Sequence, residues 1–90
     1  MDKIRLLIVD DHPMVRQGLR RILEREKDIE VVGEVGDGQE AIQEAKRLQL
    51  DVVLIDINLP SLNGLQAMRE IKHANSKTAC ITLTAYNNTA

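Results

Sequence analysis

The most constraining feature of the sequence is the regular alternation of short apolar runs with longer segments of helical periodicity. Apolar residues dominate four short runs, at residues 4–9, 30–35, 51–56 and 78–84. Strands that alternate with helices of this length are joined by right-handed crossovers. The pattern therefore predicts an α/β fold, a doubly wound parallel sheet with helices on both faces. The predicted inward-facing residues of the three helices are Val15, Leu19, Ile22, Leu23, then Ala41, Ile42, Ala45, Leu48, then Leu65, Met68 and Ile71.

The length and charge of the chain limit the number of domains and the kinds of function that it can have. Its 90 residues suit one domain, spanning residues 1–90. Twelve basic against 14 acidic residues give a net charge of -2, which argues against a dedicated nucleic-acid binder. Cys80 is the only cysteine, which favours a reducing compartment, and no apolar run has membrane length. These features together predict a cytoplasmic protein.

The fourth predicted strand is followed by too few residues to complete a strand–helix unit. After Thr84 the chain continues only to Ala90, which is too short for a helix that could cover the sheet. A parallel edge strand with an uncovered apolar face invites association with other chains. We therefore expect a fragment or a subunit of something larger.

Carboxylates follow the two most apolar predicted strands. Asp10 and Asp11 come directly after the first strand, and Asp56 ends the third. If these strands are neighbours, the three carboxylates converge at one sheet edge, where ligands bind in open parallel sheets. Two like charges about 4 Å apart repel by roughly 4 kcal/mol at an effective dielectric near 20, so the cluster needs a cation. An all-oxygen donor set predicts Mg²⁺, which makes Asp56 a candidate nucleophile towards phosphorus and Thr84 a candidate phosphoryl contact.

Simpler interpretations of the same residues exist. An aspartate pair after a strand often caps a helix or lies in a solvated turn, although Asp56 at the end of a second strand favours a site. His12 is either a metal ligand or an exposed residue at a helix start, and Cys80 is predicted to be an inert core residue. A run of basic residues is predicted to form the solvated face of the first helix, with partner docking as the alternative: Arg16, Arg20, Arg21 and Arg25.

The polar residues at the strand ends resemble the receiver domain of two-component response regulators. The matching features, in chain order, are Asp10-Asp11, Asp56, Pro60, Gly64 and Thr84-Ala85. Residues 10–19 and 58–65 are similar to the NarL/FixJ-type subfamily, whose full-length members carry a C-terminal helix-turn-helix output domain. The resemblance covers essentially the whole chain.

The resemblance implies a role for each site residue. Asp56 would accept a phosphoryl group from the phosphohistidine of a sensor histidine kinase or from a small acyl phosphate. Asp11 and Asp56 would bind Mg²⁺ through their carboxylates, Asn58 through its backbone carbonyl, and Asp10 through water. Thr84 would contact the phosphoryl group and act in the switch. The implied fold is a flavodoxin-like sheet of strand order 2-1-3-4-5, of which this chain holds 2-1-3-4.

The sequence departs from the family pattern at its C-terminal end. The fifth strand, with its site lysine, and the output domain are absent from the 90 residues. DNA binding would therefore belong to a longer parent, and the chain would be no enzyme beyond catalysing its own phosphorylation and dephosphorylation. An alternative function is a truncated or engineered α/β fragment that dimerises or exchanges strands through its fourth strand, with a non-functional acidic site. A phosphatase-like enzyme is the third hypothesis, and it lacks a second carboxylate because Asn58 stands at that position.

Overall fold

A computed structural model describes residues 3–57, 59 and 64–83 of the chain. Strands and helices alternate throughout this part, as the apolar pattern predicts. The elements, in chain order, are β1 (Ile4–Val9), α1 (Pro13–Glu24), β2 (Ile29–Val35), α2 (Gly38–Arg47), β3 (Val52–Asp56), α3 (Gly64–Ala74) and β4 (Ala79–Leu83). Pro13 begins α1, where its missing N–H costs nothing, and the Asp37 side chain caps α2 by accepting a hydrogen bond from the Glu40 N–H.

The four strands form one parallel sheet in the order β2-β1-β3-β4. The predicted fold class and strand order are therefore confirmed. The strand order reverses between β1 and β3, so the carboxyl ends of these strands flank the point where ligands bind in such sheets. Among the described residues, no helix is both long enough and apolar enough to cross a membrane.

Apolar side chains pack on both faces of the sheet. The larger cluster lies between the sheet and α2 and α3, and the smaller one lies under α1. Cys80 packs against the larger cluster, and burial raises the pKa of its thiol, in keeping with an inert core cysteine. Residues of β1 point alternately to the two clusters, so β1 is the buried centre of the fold: Leu7 and Val9 on one side, Leu6 and Ile8 on the other.

Three of the predicted inward-facing residues are exposed instead. Val15 and Ile22 on α1 are 39% and 62% exposed, and Leu65 on α3 is 54% exposed. In α3 the predicted Ile71 is buried and the predicted Met68 packs against the larger cluster, while Gly64 and Ala67 are buried in place of Leu65. The spacing was correct for a helix, and the other predicted residues do pack on the two faces of the sheet.

In α1 the inward stripe includes two arginines. Leu19 and Leu23 pack on the smaller cluster, while Arg16 and Arg20 occupy the neighbouring positions of the same stripe. Both guanidinium groups bind Glu34 of β2: Arg16 Nε donates to Oε1 at 3.1 Å, and Arg20 Nη1 donates to Oε2 at 2.8 Å. The prediction that Arg16 and Arg20 belong to a solvated face is therefore wrong, because Glu34 draws them against the sheet.

The ion pairs of Glu34 predict a pH-dependent contribution to stability. Hydrogen bonds from Arg20 and then Arg16 lower the pKa of Glu34 below its ordinary value. A lowered pKa stabilises the fold above the pKa of the unfolded chain, and this contribution is lost as pH falls through the folded pKa. We expect Glu34→Gln to lower the free energy of unfolding at pH 7, because the ion pairs with Arg16 and Arg20 are lost. The loss should be only about 1 kcal/mol, because the carboxylate is partly exposed and screened by water.

Urea denaturation at neutral pH and at about pH 3 measures this effect, and the difference between wild type and variant should shrink at the lower pH. Glu30→Gln is the matched control on the same strand, since the Glu30 carboxylate is exposed and 3.8 Å from Arg5. Equal losses in the two variants at both pH values would contradict the role assigned to Glu34.

Candidate metal centre

Asp10 lies directly beyond the central strand β1 and is fully buried. Its backbone N–H donates to the Val35 carbonyl at 3.1 Å, which extends the β1–β2 ladder by one residue. The side chain is 0% exposed, so the register of the sheet holds its carboxylate inside the protein. A buried carboxylate is costly unless it is paired or hydrogen-bonded.

Asp56 is the last residue of β3 and is 2% exposed. Because Val9 pairs with Ile55, the residues that follow them stand side by side at the same edge of the sheet. Ligand atoms of Asp10, Asp11, His12 and Asp56 all lie within 4.8 Å of one another. The structure thus brings together the three carboxylates that the sequence predicted would converge, and adds an imidazole.

His12 contacts both Asp10 and Asp11 within this acidic cluster. Its backbone N–H donates to Asp10 Oδ1 at 2.8 Å, and its ring Nδ1 lies 2.9 Å from the same oxygen. Nδ1 is also 3.0 Å from Asp11 Oδ1. The hydrogen bond to Asp10, followed by the charge of Asp11, raises the pKa of His12 above its ordinary value. His12 is the N-cap residue of α1, but its side chain makes no capping hydrogen bond.

Two carboxylate oxygens in the cluster lack hydrogen-bond donors. Asp10 Oδ2 and Asp11 Oδ1 are both buried, and neither receives a hydrogen bond from the described residues. His12 touches Asp11 Oδ1 as an ion-pair contact only. Buried acceptors without donors are rare in folded proteins and call for a ligand such as a cation. The donor set, which is rich in carboxylate oxygens, fits a hard divalent ion.

The start of α3 packs against the end of β3, directly after Asp56. The Gly64 N–H donates to the Ile57 carbonyl at 2.9 Å. A Cβ at residue 64 would come within 2.5 Å of both the Asp56 carbonyl oxygen and Ile57 Cα. Only glycine therefore allows α3 to begin against the backbone that carries Asp56.

Two predicted site residues, Asn58 and Thr84, lie outside the described residues. Their roles, and the roles of Asp10, Asp11 and Asp56 as ligands and phosphoacceptor, stay predictions. Sequence reasoning missed Arg16, whose Nη1 donates to the Asp10 carbonyl oxygen at 2.6 Å. The available signal was Glu34, a charged residue inside β2 that requires a partner.

A parallel sheet of order β2-β1-β3-β4 with a ligand site at its switch point has the arrangement of a flavodoxin-like fold. Residues 6–90 match the response regulator receiver domain family, and the chain belongs to this family. It is 43% identical over 83 residues to the response regulator UvrY of Escherichia coli, covering 92% of this chain and 38% of that protein. It is 42% identical over 79 residues to the nitrate/nitrite response regulator protein NarP of Escherichia coli, covering 88% of this chain and 37% of that protein.

Solved structures agree with this family. The receiver domain of the putative response regulator NarL from Mycobacterium tuberculosis superposes with a TM-score of 0.90 at 30% identity, covering 99% of this chain and 72% of that one. A LuxR-family response regulator from Aurantimonas superposes with a TM-score of 0.89 at 34% identity, covering 96% and 61%. The chain is thus a receiver domain of the NarL/LuxR type, and it spans less than two fifths of the curated relatives it matches.

The close approach at Gly64 predicts that an added methyl group is costly. We expect Gly64→Ala to lower the free energy of unfolding by about 1–3 kcal/mol, because backbone atoms must move to admit the methyl group. Gly18→Ala is the matched control, since a Cβ at residue 18 of α1 meets nothing within 4 Å. It should stabilise the protein by about 0.5–1 kcal/mol through helix propensity. Urea denaturation measures both, and equal effects in the two variants would contradict the steric argument.

The contacts of His12 predict its titration in metal-free buffer. We expect the pKa of His12 to be higher in the folded chain than in the urea-unfolded chain, because Asp10 and Asp11 favour the protonated ring. A raised pKa stabilises the fold below the unfolded pKa, and this contribution is lost as pH rises through the folded pKa. Ring proton shifts measure the titration, and His12→Gln assigns the signal.

Asp11→Asn should move the titration of His12 back towards its ordinary value, with the Asp10 hydrogen bond retaining part of the shift. Asp28→Asn is the control, because Asp28 is an exposed residue that bonds the start of β1 through its carbonyl. A His12 ring that titrates at the same pH in the folded and unfolded chains would refute the contacts.

Proposed function

We propose that the chain is the phosphoacceptor module of a two-component response regulator, with Asp56 as the residue that becomes phosphorylated. The observation that carries this proposal is the burial of Asp56 at the end of β3, within 4.8 Å of ligand atoms from Asp10 and Asp11. Membership of the receiver family supports the assignment.

Mg²⁺ is the proposed cofactor of this module. Asp11 and Asp56 would hold it through their carboxylates, the Asn58 backbone carbonyl would join them, and Asp10 would act through water. When bound, Mg²⁺ offsets the negative charge of the carboxylates and of the incoming phosphoryl oxygens. The buried oxygens of Asp10 and Asp11 that accept no hydrogen bond support this arrangement, because a cation and its water ligands would satisfy them.

The proposed reaction transfers a phosphoryl group to Asp56. A carboxylate oxygen of Asp56 attacks phosphorus, the bond from phosphorus to the donor atom breaks, and the product is an acyl phosphate on Asp56. The donor is a kinase phosphohistidine, whose nitrogen keeps the electron pair, or a small acyl phosphate. Thr84 would contact the transferred group and report its presence.

The similarity to response regulators supports a wider proposed role, which covers the partner, the location and the output of the protein. A cognate sensor histidine kinase is the expected partner, the location is the cytoplasm, and the domain can associate as a homodimer. An output domain in a longer parent protein would bind DNA, as one structure of the response regulator RcsB is a complex with DNA. We expect no catalytic turnover other than phosphorylation and dephosphorylation of the chain itself. The comparisons do not favour the alternative of a strand-exchanging fragment with a non-functional acidic site.

A Mg²⁺ titration followed by amide chemical shifts tests the metal site. We expect shifts centred on Asp10, Asp11 and Asp56 in the wild type, and none there in Asp56→Asn, because the variant removes one of the charged ligands. Incubation with acetyl phosphate and Mg²⁺ should add the mass of one phosphoryl group to the wild type and none to Asp56→Asn.

Asp28→Asn controls for the loss of a carboxylate elsewhere and should behave as wild type in both experiments. Equal labelling of the wild type and Asp56→Asn would exclude Asp56 as the phosphoacceptor. Mg²⁺ affinity that is unchanged in Asp56→Asn would exclude the metal assignment.

A further inference from the structure

Arg16 joins the acidic cluster to the rest of the fold through the backbone of Asp10. Its Nη1 donates to the Asp10 carbonyl oxygen at 2.6 Å, while its Nε donates to Glu34 Oε1 at 3.1 Å. The Arg16 side chain is only 20% exposed. Glu34 thus orients the guanidinium group, and the guanidinium group binds one carbonyl of residues 10–12, the acidic loop between β1 and α1.

That carbonyl belongs to the peptide unit between Asp10 and Asp11. A peptide unit is planar, so the direction of its carbonyl also sets the direction in which the chain leaves for Asp11. The other side of Asp10 is held by the bond from its N–H to the Val35 carbonyl. Within the described residues, Arg16 therefore adds a second backbone restraint on Asp10, on the side that leads to the partly exposed Asp11 carboxylate.

We propose that Arg16 is a positioning residue for the metal centre, which holds the Asp10–Asp11 peptide so that the Asp11 carboxylate faces Asp10 and Asp56. This inference rests on the proposed function for its metal. Groups that orient metal ligands without touching the metal commonly change affinity on the order of tenfold or more when they are removed.

Charge and position predict opposite effects for Arg16. As a bare positive charge near a cation site, Arg16 would weaken Mg²⁺ binding, and its removal would strengthen binding. As a positioning residue, its removal would weaken binding because the carboxylates that attract the metal would no longer be held together. Arg16→Lys separates the two further, since lysine keeps the charge but lacks the planar fork that bonds two acceptors at once.

Arg20 provides the matched control. It also binds Glu34 from α1, with Nη1 donating to Oε2 at 2.8 Å. Its other hydrogen bonds within the described residues go to Glu24 and to the Val31 carbonyl, and none reaches residues 10–12. Arg20→Gln therefore removes an ion pair of the same helix with the same partner and leaves the acidic loop untouched.

The test is the dissociation constant for Mg²⁺, measured by amide chemical shifts under conditions where every variant is fully folded by circular dichroism. We expect Arg16→Gln and Arg16→Lys each to weaken binding on the order of tenfold, and Arg20→Gln to stay within about twofold of the wild type. Tighter or equal binding in Arg16→Gln would overturn the proposal, and so would an equal loss in Arg20→Gln.

A second measurement without metal separates this proposal from the proposed function. The His12 N–H donates to the Asp10 side chain, so it reports the order of the acidic loop. Hydrogen exchange at the His12 amide should quicken in Arg16→Gln and not in Arg20→Gln. If the wild type binds no Mg²⁺, the proposed function fails, while this exchange difference still decides whether Arg16 orders the loop.

Discussion

The parallel pairing of β1 with both β2 and β3 is the constraint on which the rest of the structure depends. Because Val9 stands opposite Ile55, the chain places Asp10 and Asp56 next to each other at one edge of the sheet, although they are far apart in sequence. Both carboxylates are buried there. The chemistry of the site is therefore a consequence of register, since a shift of one residue would point one carboxylate to the opposite face.

The two faces of the sheet hold their helices by different means. Against α2 and α3 the contacts are apolar and non-directional, and this cluster holds nine of the twelve buried apolar residues in the described part of the chain. On the other face, no described residue of α1 is fully buried, and the ion pairs of Arg16 and Arg20 with Glu34 add to the apolar packing of Leu19 and Leu23. Ion pairs between a planar guanidinium group and a carboxylate are directional. These ion pairs consequently set the orientation of α1, whose first turn begins at the acidic loop.

Much of this architecture could be predicted from the sequence, and the errors have identifiable causes. Alternating periodicity gives the elements, the parallel sheet and its two covered faces, but it assigns Val15 and Ile22 to the interior on residue type alone. The side of the sheet that Glu34 faces depends on a register shift between Leu6 and Leu7, which pairs Glu34 with Ile8 rather than with Val9. No periodicity reveals this shift. Without it, Glu34 would point to α2 and α3, and Arg16 and Arg20 would lose the carboxylate that they share.

The acidic cluster is held together by anchors from both faces. Arg16 of α1 binds the carbonyl of Asp10, and the first N–H of α3 binds the carbonyl of Ile57, directly after Asp56. Like charges at this spacing repel one another, so side-chain contacts alone would let the carboxylates turn outward into water. Bonds to the backbone restrain the peptide units themselves, and they leave Asp10 Oδ2 and Asp11 Oδ1 available to a ligand. This division explains why a site made of aspartates depends on an arginine and a glycine that carry none of its chemistry.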